Sequence, residues 1–156
     1  MHFTRKDQDK LKQIALAPTG STGWRDDAVA FGASREQDGV PVAVAVFQAF
    51  TGREAEFHIA MLDGARMQPA IVASMLTMSF SPRGLNLDRL WCQIAVDNPT
   101  AQVAAIKVGF QIEYRKRGGI AGGKDAIVFS MARTGTGQAA AKHPNDEDAD
   151  EVSHGR

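Results

Sequence analysis

Leu90-Trp91-Cys92-Gln93-Ile94-Ala95-Val96-Asp97-Asn98-Pro99-Thr100-Ala101 is the stretch that decides the fold. An apolar strand runs directly into Asp97-Asn98-Pro99. Asn98 is predicted to cap a helix from Pro99 to Val108, because its side chain can accept from a free N–H of the first turn. Gly109 is the natural stop for that helix. Beyond it, Phe110–Arg117 and Asp125–Arg133 read as two strands joined by Gly118-Gly119-Ile120-Ala121-Gly122-Gly123.

Working outward, Met67–Phe80 has helical spacing, with Ile71, Met75, Leu76 and Met78 directed inward. Pro69 falls in its first turn, where a missing N–H costs little. Ser81-Pro82-Arg83-Gly84 ends it, and the next strand spans Leu87–Val96. Further upstream, Ala28–Ser34, Val40–Thr51 and Ala55–Leu62 form an antiparallel meander. Its turns are Gln37-Asp38-Gly39 and Thr51-Gly52-Arg53-Glu54. In the middle strand Val42, Val44 and Val46 are expected on one face and Phe47 on the other. Thr4 or Asp7 is expected to cap an N-terminal helix running to about Leu16, followed by a loop over Pro18–Gly23. The order is helix, three strands, helix, strand, helix, two strands, an α/β chain with a mixed, mostly antiparallel sheet.

With 156 residues, one domain over 1–133 can bury a real core. From Thr134 onward the apolar anchors disappear, and Asn145-Asp146-Glu147-Asp148-Ala149-Asp150-Glu151 is acidic. Residues 134–156 are therefore expected to be a disordered acidic tail. Formal net charge is zero. No global field recruits nucleic acid or an anionic membrane, and no aromatics interleave with the Arg115-Lys116-Arg117 group. No Cys/His spacing suggests a metal. A single cysteine, Cys92, excludes an internal disulfide and fits a reducing, cytoplasmic location. No run is long and apolar enough for a membrane span.

The succession of strand, Asn98-started helix, Gly109-Phe110 turn and final strand pair resembles the C-terminal half of the GCN5-related N-acetyltransferase (GNAT) family. The resemblance covers roughly Val29 to Arg133. It is nearest the branch that includes ribosomal-protein N-terminal acetyltransferases; short chains of this style also occur on phage genomes. It implies that Ala55–Leu62 and Leu87–Val96 are parallel neighbours that splay apart at their C-terminal ends. The pantetheine arm of acetyl-CoA would lie in that gap. The pyrophosphate would meet the following helix start, where free N–H groups and the dipole favour anions. That places the cofactor against Leu62, Gly64, Ala65, Arg66, Met67 and Gln68, with Asn98 beside the arm.

Two departures from the family pattern stand out. The phosphate loop reads Arg66-Met67-Gln68-Pro69-Ala70-Ile71. Pro69 stands where glycine is expected and removes a donor, and β-branched Ile71 replaces a small residue. Ala105 stands where many relatives carry the tyrosine that protonates the leaving thiolate, and Tyr114, the only tyrosine, lies past the turn.

For the base, Glu54, Glu56 and His58 alternate onto one face of a strand, where a carboxylate and an imidazole can share a proton. Glu56 and His58 are the catalytic candidates and Asp97 a further one; Cys92 is expected in the core. The function implied is an acetyl-CoA-dependent N-acetyltransferase acting on a small-molecule or protein amine. The alternative is a catalytically degenerate GNAT-fold protein that binds and modulates a protein target. The acceptor would be chosen by the Pro18–Gly23 and Gly118–Gly123 loops, and a homodimer remains open.

Overall fold

The computed structural model describes residues 1–62, 64 and 66–133. In chain order its elements are β1 (His2–Thr4), α1 (Gln8–Thr19), β2 (Val29–Ser34), β3 (Pro41–Thr51), β4 (Glu54–Met61), α2 (Pro69–Phe80), β5 (Arg89–Ala95), α3 (Pro99–Lys107), β6 (Gln111–Ile120) and β7 (Lys124–Ala132). The seven strands form one sheet in the order β1-β2-β3-β4-β5-β7-β6. Every neighbouring pair is antiparallel except β4 and β5. Parallel pairing requires a crossover, and α2 supplies it.

β4 and β5 pair only over Glu54↔Arg89, Ala55↔Leu90 and Glu56↔Trp91. On its other edge β4 continues along β3 as far as Met61, and β5 continues along β7 as far as Ala95. Past Glu56 and Trp91 the two strands therefore diverge, each leaving one edge without a strand partner. This is the separation that the family resemblance implies.

The alternation of side chains sorts the core into two faces. Phe31, Ala45, Phe47 and Phe57 face Ile71, Val72, Met75 and Leu76 of α2, with Ala105 of α3 and Phe110 joining them. Val44, Val46 and Ala60 face Leu11 and Ala15 of α1. Burying large side chains such as Phe47, Phe129 and Met75 contributes about 1.5–3 kcal/mol each. Gly32 permits the close packing of α1, since a Cβ there would lie 2.9 Å from Leu11 Cδ2. Gly109, at φ +106°, turns the chain out of α3 as expected.

Some expectations need correction. β1 was not anticipated; three residues are too few to show a period, and its place is set by pairing with Gly32–Ser34. Asp7 does stand at the start of α1, but its side chain makes no capping bond. The helix runs through Pro18 to Thr19 rather than ending near Leu16. Val42 packs against the larger cluster, not beside Val44 and Val46, next to a register shift at Ala33/Ser34. Gly118, Gly119 and Ile120 continue β6 instead of forming a loop, so the hairpin turn begins at Ala121. The expected acidic tail, 134–156, lies outside the described residues, as does Ala65 of the expected phosphate loop.

Candidate active site

The diverging ends of β4 and β5 open into a cleft of about 570 Å³, floored by α3 and bordered by the C-terminal end of α1. Phe57, His58, Ile59 and Met61 line it from β4, and Cys92, Gln93, Ile94 and Ala95 from β5. The α3 wall is narrow-shouldered: Ala101, Ala104 and Ala105 face the space. Pro18, Thr19, Gly20 and Ile120 close the other side. The volume is in the range of small-molecule sites.

His58 and Glu56 lie together on the α1 face of the sheet. His58 Nε2 is 3.3 Å from Glu56 Oε2. Only the imidazole reaches the cleft wall; the Glu56 side chain is 12% exposed and sits behind it. Burial pushes the Glu56 carboxyl up, but the His58 hydrogen bond and charge, with donors from Gln48 and Gln93, outweigh that and hold it below the ordinary carboxylate range. Glu54, the third residue of that face, is taken up by Arg89 at 3.2 Å.

Sequence reasoning missed three members of this cluster. Gln48 Nε2 donates to Glu56 Oε2 at 3.1 Å and lies 3.2 Å from His58 Nε2. The indole of Trp24 meets the His58 ring edge-on at 5.2 Å between centroids. Its own N–H donates to the Lys12 carbonyl at 2.8 Å, which fixes the ring. Gln93, on the cleft wall, has a buried Oε1 with no hydrogen-bond partner. The register Gln48↔Glu56 was the signal for Gln48, but it depends on knowing how β3 and β4 pair.

The remaining candidates are spread over several elements. Asn98 caps α3, accepting from the Ala101 N–H at 3.2 Å, and also borders the cleft. Met67 lines the cleft, while Arg66 and Gln68 are exposed on the approach to α2. Gly64 has φ +67° with open space around it. The Leu62 N–H is committed to the Val42 carbonyl at 3.0 Å, and its side chain packs on the α1 face. At the start of α2, Pro69 has no N–H, and those of Ile71 and Val72 turn back to the Gln68 carbonyl. The Ile71 side chain is buried in the core, so it does not crowd this approach. Asp97 is exposed and held below the ordinary range by Lys124 at 2.9 Å. Cys92 borders the cleft rather than lying wholly in the core. Burial pushes its thiol up to about 12, with the Glu56 charge adding to the effect. Tyr114 is exposed on β6, and among the described residues no group of His, Cys, Asp or Glu could hold a metal ion.

No protein-family model matches the sequence, and no curated protein is significantly similar to it. Solved structures are similar in shape. A chimera of the spermidine N-acetyltransferase SpeG from Vibrio cholerae with hSSAT superposes with a TM-score of 0.68 at 18% identity, over 84% of this chain and 94% of that one. The fold is GNAT-like. A mutant of the same Vibrio cholerae enzyme gives 0.68 at 15% identity, over 85% and 95%. A dodecameric form of that enzyme gives 0.67 at 17%, over 84% and 92%. The splayed cleft is where the sequence resemblance puts the pantetheine arm.

The cleft fits that arm. It offers two unpaired strand edges, a floor of alanines and an orphaned acceptor, Gln93 Oε1. The start of α2 fits a pyrophosphate less fully, because Pro69 contributes no donor and two of the next N–H groups are spent on Gln68.

Proposed function

We propose that the chain is an acetyl-CoA-dependent N-acetyltransferase whose acceptor is an amine. The observation that carries this reading is the paired His58 and Glu56 at the wall of the β4–β5 cleft. When bound, acetyl-CoA supplies an acetyl thioester, whose C–S bond is exchanged for a C–N bond to the amine. Leu62, Gly64, Ala65, Arg66, Met67, Gln68 and Asn98 would hold it, with the backbone edges of β4 and β5 receiving the arm and Arg66 beside the phosphates.

His58 acts as the base. Its Nε2 is turned to Glu56, and Nδ1 has no hydrogen-bond partner among the described residues. A carboxylate is the stronger acceptor for Nε2–H, so the proton rests on Nε2 and the bare Nδ1 accepts the proton the amine sheds. Glu56 stabilises the imidazolium that results. The ends of α1 and β6, at Pro18–Gly20 and Ile120, border the acceptor side. Ala105, where many relatives carry a tyrosine, leaves protonation of the thiolate to solvent, a trait shared with the ribosomal-protein branch. The single cysteine fits work in a reducing cytoplasm.

The test is direct. Incubation with acetyl-CoA and a set of amines, spermidine and peptides with free N-termini among them, should release thiol and yield an acetylated amine. Failure with every amine, despite acetyl-CoA binding, would favour the binding-protein alternative.

A further inference from the structure

We propose that Gln48 is the residue that positions the His58–Glu56 pair and ties it to the segment between α1 and β2. This rests on the acetyltransferase reading above for its consequence in turnover, but its geometry stands alone.

Gln48 is buried on β3, directly across from Glu56 in the register. Its Oε1 accepts the Arg25 N–H at 2.9 Å. That bond fixes which way the amide faces: the oxygen points to residue 25, so the NH₂ group points to Glu56 and His58. One N–H reaches Glu56 Oε2 at 3.1 Å. Only N–H groups are then presented to His58 Nε2 from this side, and among the described residues Glu56 is the one acidic acceptor beside that nitrogen. A Gln48 N–H competes for the Nε2 lone pair, but a neutral bond is roughly half as strong as a charge-assisted one. The clamp on Glu56 therefore keeps the proton on Nε2 and Nδ1 bare.

The groups around the imidazole are few. Trp24 closes one edge and does not titrate. Glu56 flanks Nε2, and Cys92 lines the same cleft as a neutral thiol. Arg25 and Trp24 are consecutive, so one short segment both holds Gln48 by its backbone and packs on His58 by its ring. A residue that acts through Glu56 in this way positions the base without touching substrate.

The experiment compares Gln48→Leu and Gln48→Glu with the wild-type chain in two readouts. The first is the ¹⁵N side-chain spectrum of His58, which reports the protonated nitrogen without any ligand. The second is steady-state acetylation of spermidine or a peptide amine. Wild type should show a single neutral tautomer with the proton on Nε2. Gln48→Leu removes the donor that holds Glu56 Oε2 beside Nε2 and leaves the carboxylate free to turn to Gln93, its other donor. This variant should give a mixture of tautomers and lower kcat roughly tenfold, with the KM for acetyl-CoA unchanged. Gln48→Glu keeps an acceptor for the Arg25 N–H but sets a second carboxylate beside Glu56. The imidazole should then hold both protons to higher pH, moving the acid limb of the pH–rate profile upward. If both variants keep the wild-type tautomer and pH profile, Gln48 is packing alone and the proposal is overturned. If wild type acetylates no amine while the tautomer still shifts in the variants, the acetyltransferase reading fails and the role of Gln48 survives.

Discussion

Glu56 Oε2 stands 3.3 Å behind His58 Nε2, the carboxylate enclosed and the imidazole at the cleft wall. The two residues are neighbours on one face of β4, brought to the cleft because β4 and β5 part company just past Glu56. Removing either should therefore affect turnover rather than cofactor affinity. His58→Ala is expected to lower kcat by about 10²–10⁴, the usual contribution of a general base. Glu56→Gln should lower it less, and both should bind acetyl-CoA as wild type does by calorimetry.

The same pair makes stability depend on pH. The Glu56 carboxyl is held below its ordinary value in the folded chain. Its contribution is thus fully present above the unfolded-state value and fades as pH falls through the depressed folded one. Urea unfolding of wild type and Glu56→Gln should show a gap at neutral pH that closes in acid. A gap that widened in acid would mean the carboxyl is raised, not lowered.

Ala49 holds φ +53° at the irregularity in β3, and the Asp27 carboxylate accepts from both the Ala49 and Phe50 N–H groups at 3.1 and 2.9 Å. A left-handed conformation costs a non-glycine residue about 1–2 kcal/mol. Ala49→Gly should accordingly stabilise the fold by about 1 kcal/mol in chemical denaturation, offset in part by the entropy of glycine. Asp27→Ala should destabilise it by about 1.5–3 kcal/mol, since two bonds to a charged acceptor are lost.

Cys92 borders the cleft, yet burial pushes its thiol up to about 12. Thiolate is scarce at neutral pH, so alkylation by iodoacetamide should be much slower in the folded chain than in urea. Cys92→Ala should leave kcat within a few-fold of wild type. Rapid alkylation of the native chain, or loss of turnover in the variant, would point to a nucleophilic cysteine instead.

The approach to α2 is the weaker part of the proposed cofactor site. Arg66→Ala should reduce acetyl-CoA affinity by about 1–3 kcal/mol, the range for a lost charge-assisted hydrogen bond. Pro69→Gly restores a donor N–H and should tighten binding at some cost in helix stability. Unchanged affinity in both variants would place the phosphates elsewhere.

Much of this was legible in the residues. The long apolar periods of β3, α2 and β5, the Asn98 cap and the Gly109 stop carry strong local signals, and they were enough to place these elements; the parallel pair came from the family resemblance that their order carries. Glu56 and His58 could be found because alternation alone puts them on one face. Gln48, Trp24 and Gln93 could not, because they reach the pair through strand register and through packing across the sheet, which leave no mark in a single segment. β1 was too short for any period, and Gly118–Ile120 read as a loop because glycine composition outweighed a pairing that only β7 imposes. Pro18 was read as a stop although it sits near the end of α1, where the chain had already completed most of its turns.

Titration of acetyl-CoA into the protein by calorimetry tests the central claim most directly. The β4–β5 cleft should bind it with micromolar affinity, and substituting Ala104, which lines the floor, by Trp should abolish the heat while leaving the fold intact by circular dichroism. No heat at millimolar acetyl-CoA would contradict an acetyltransferase built on this cleft.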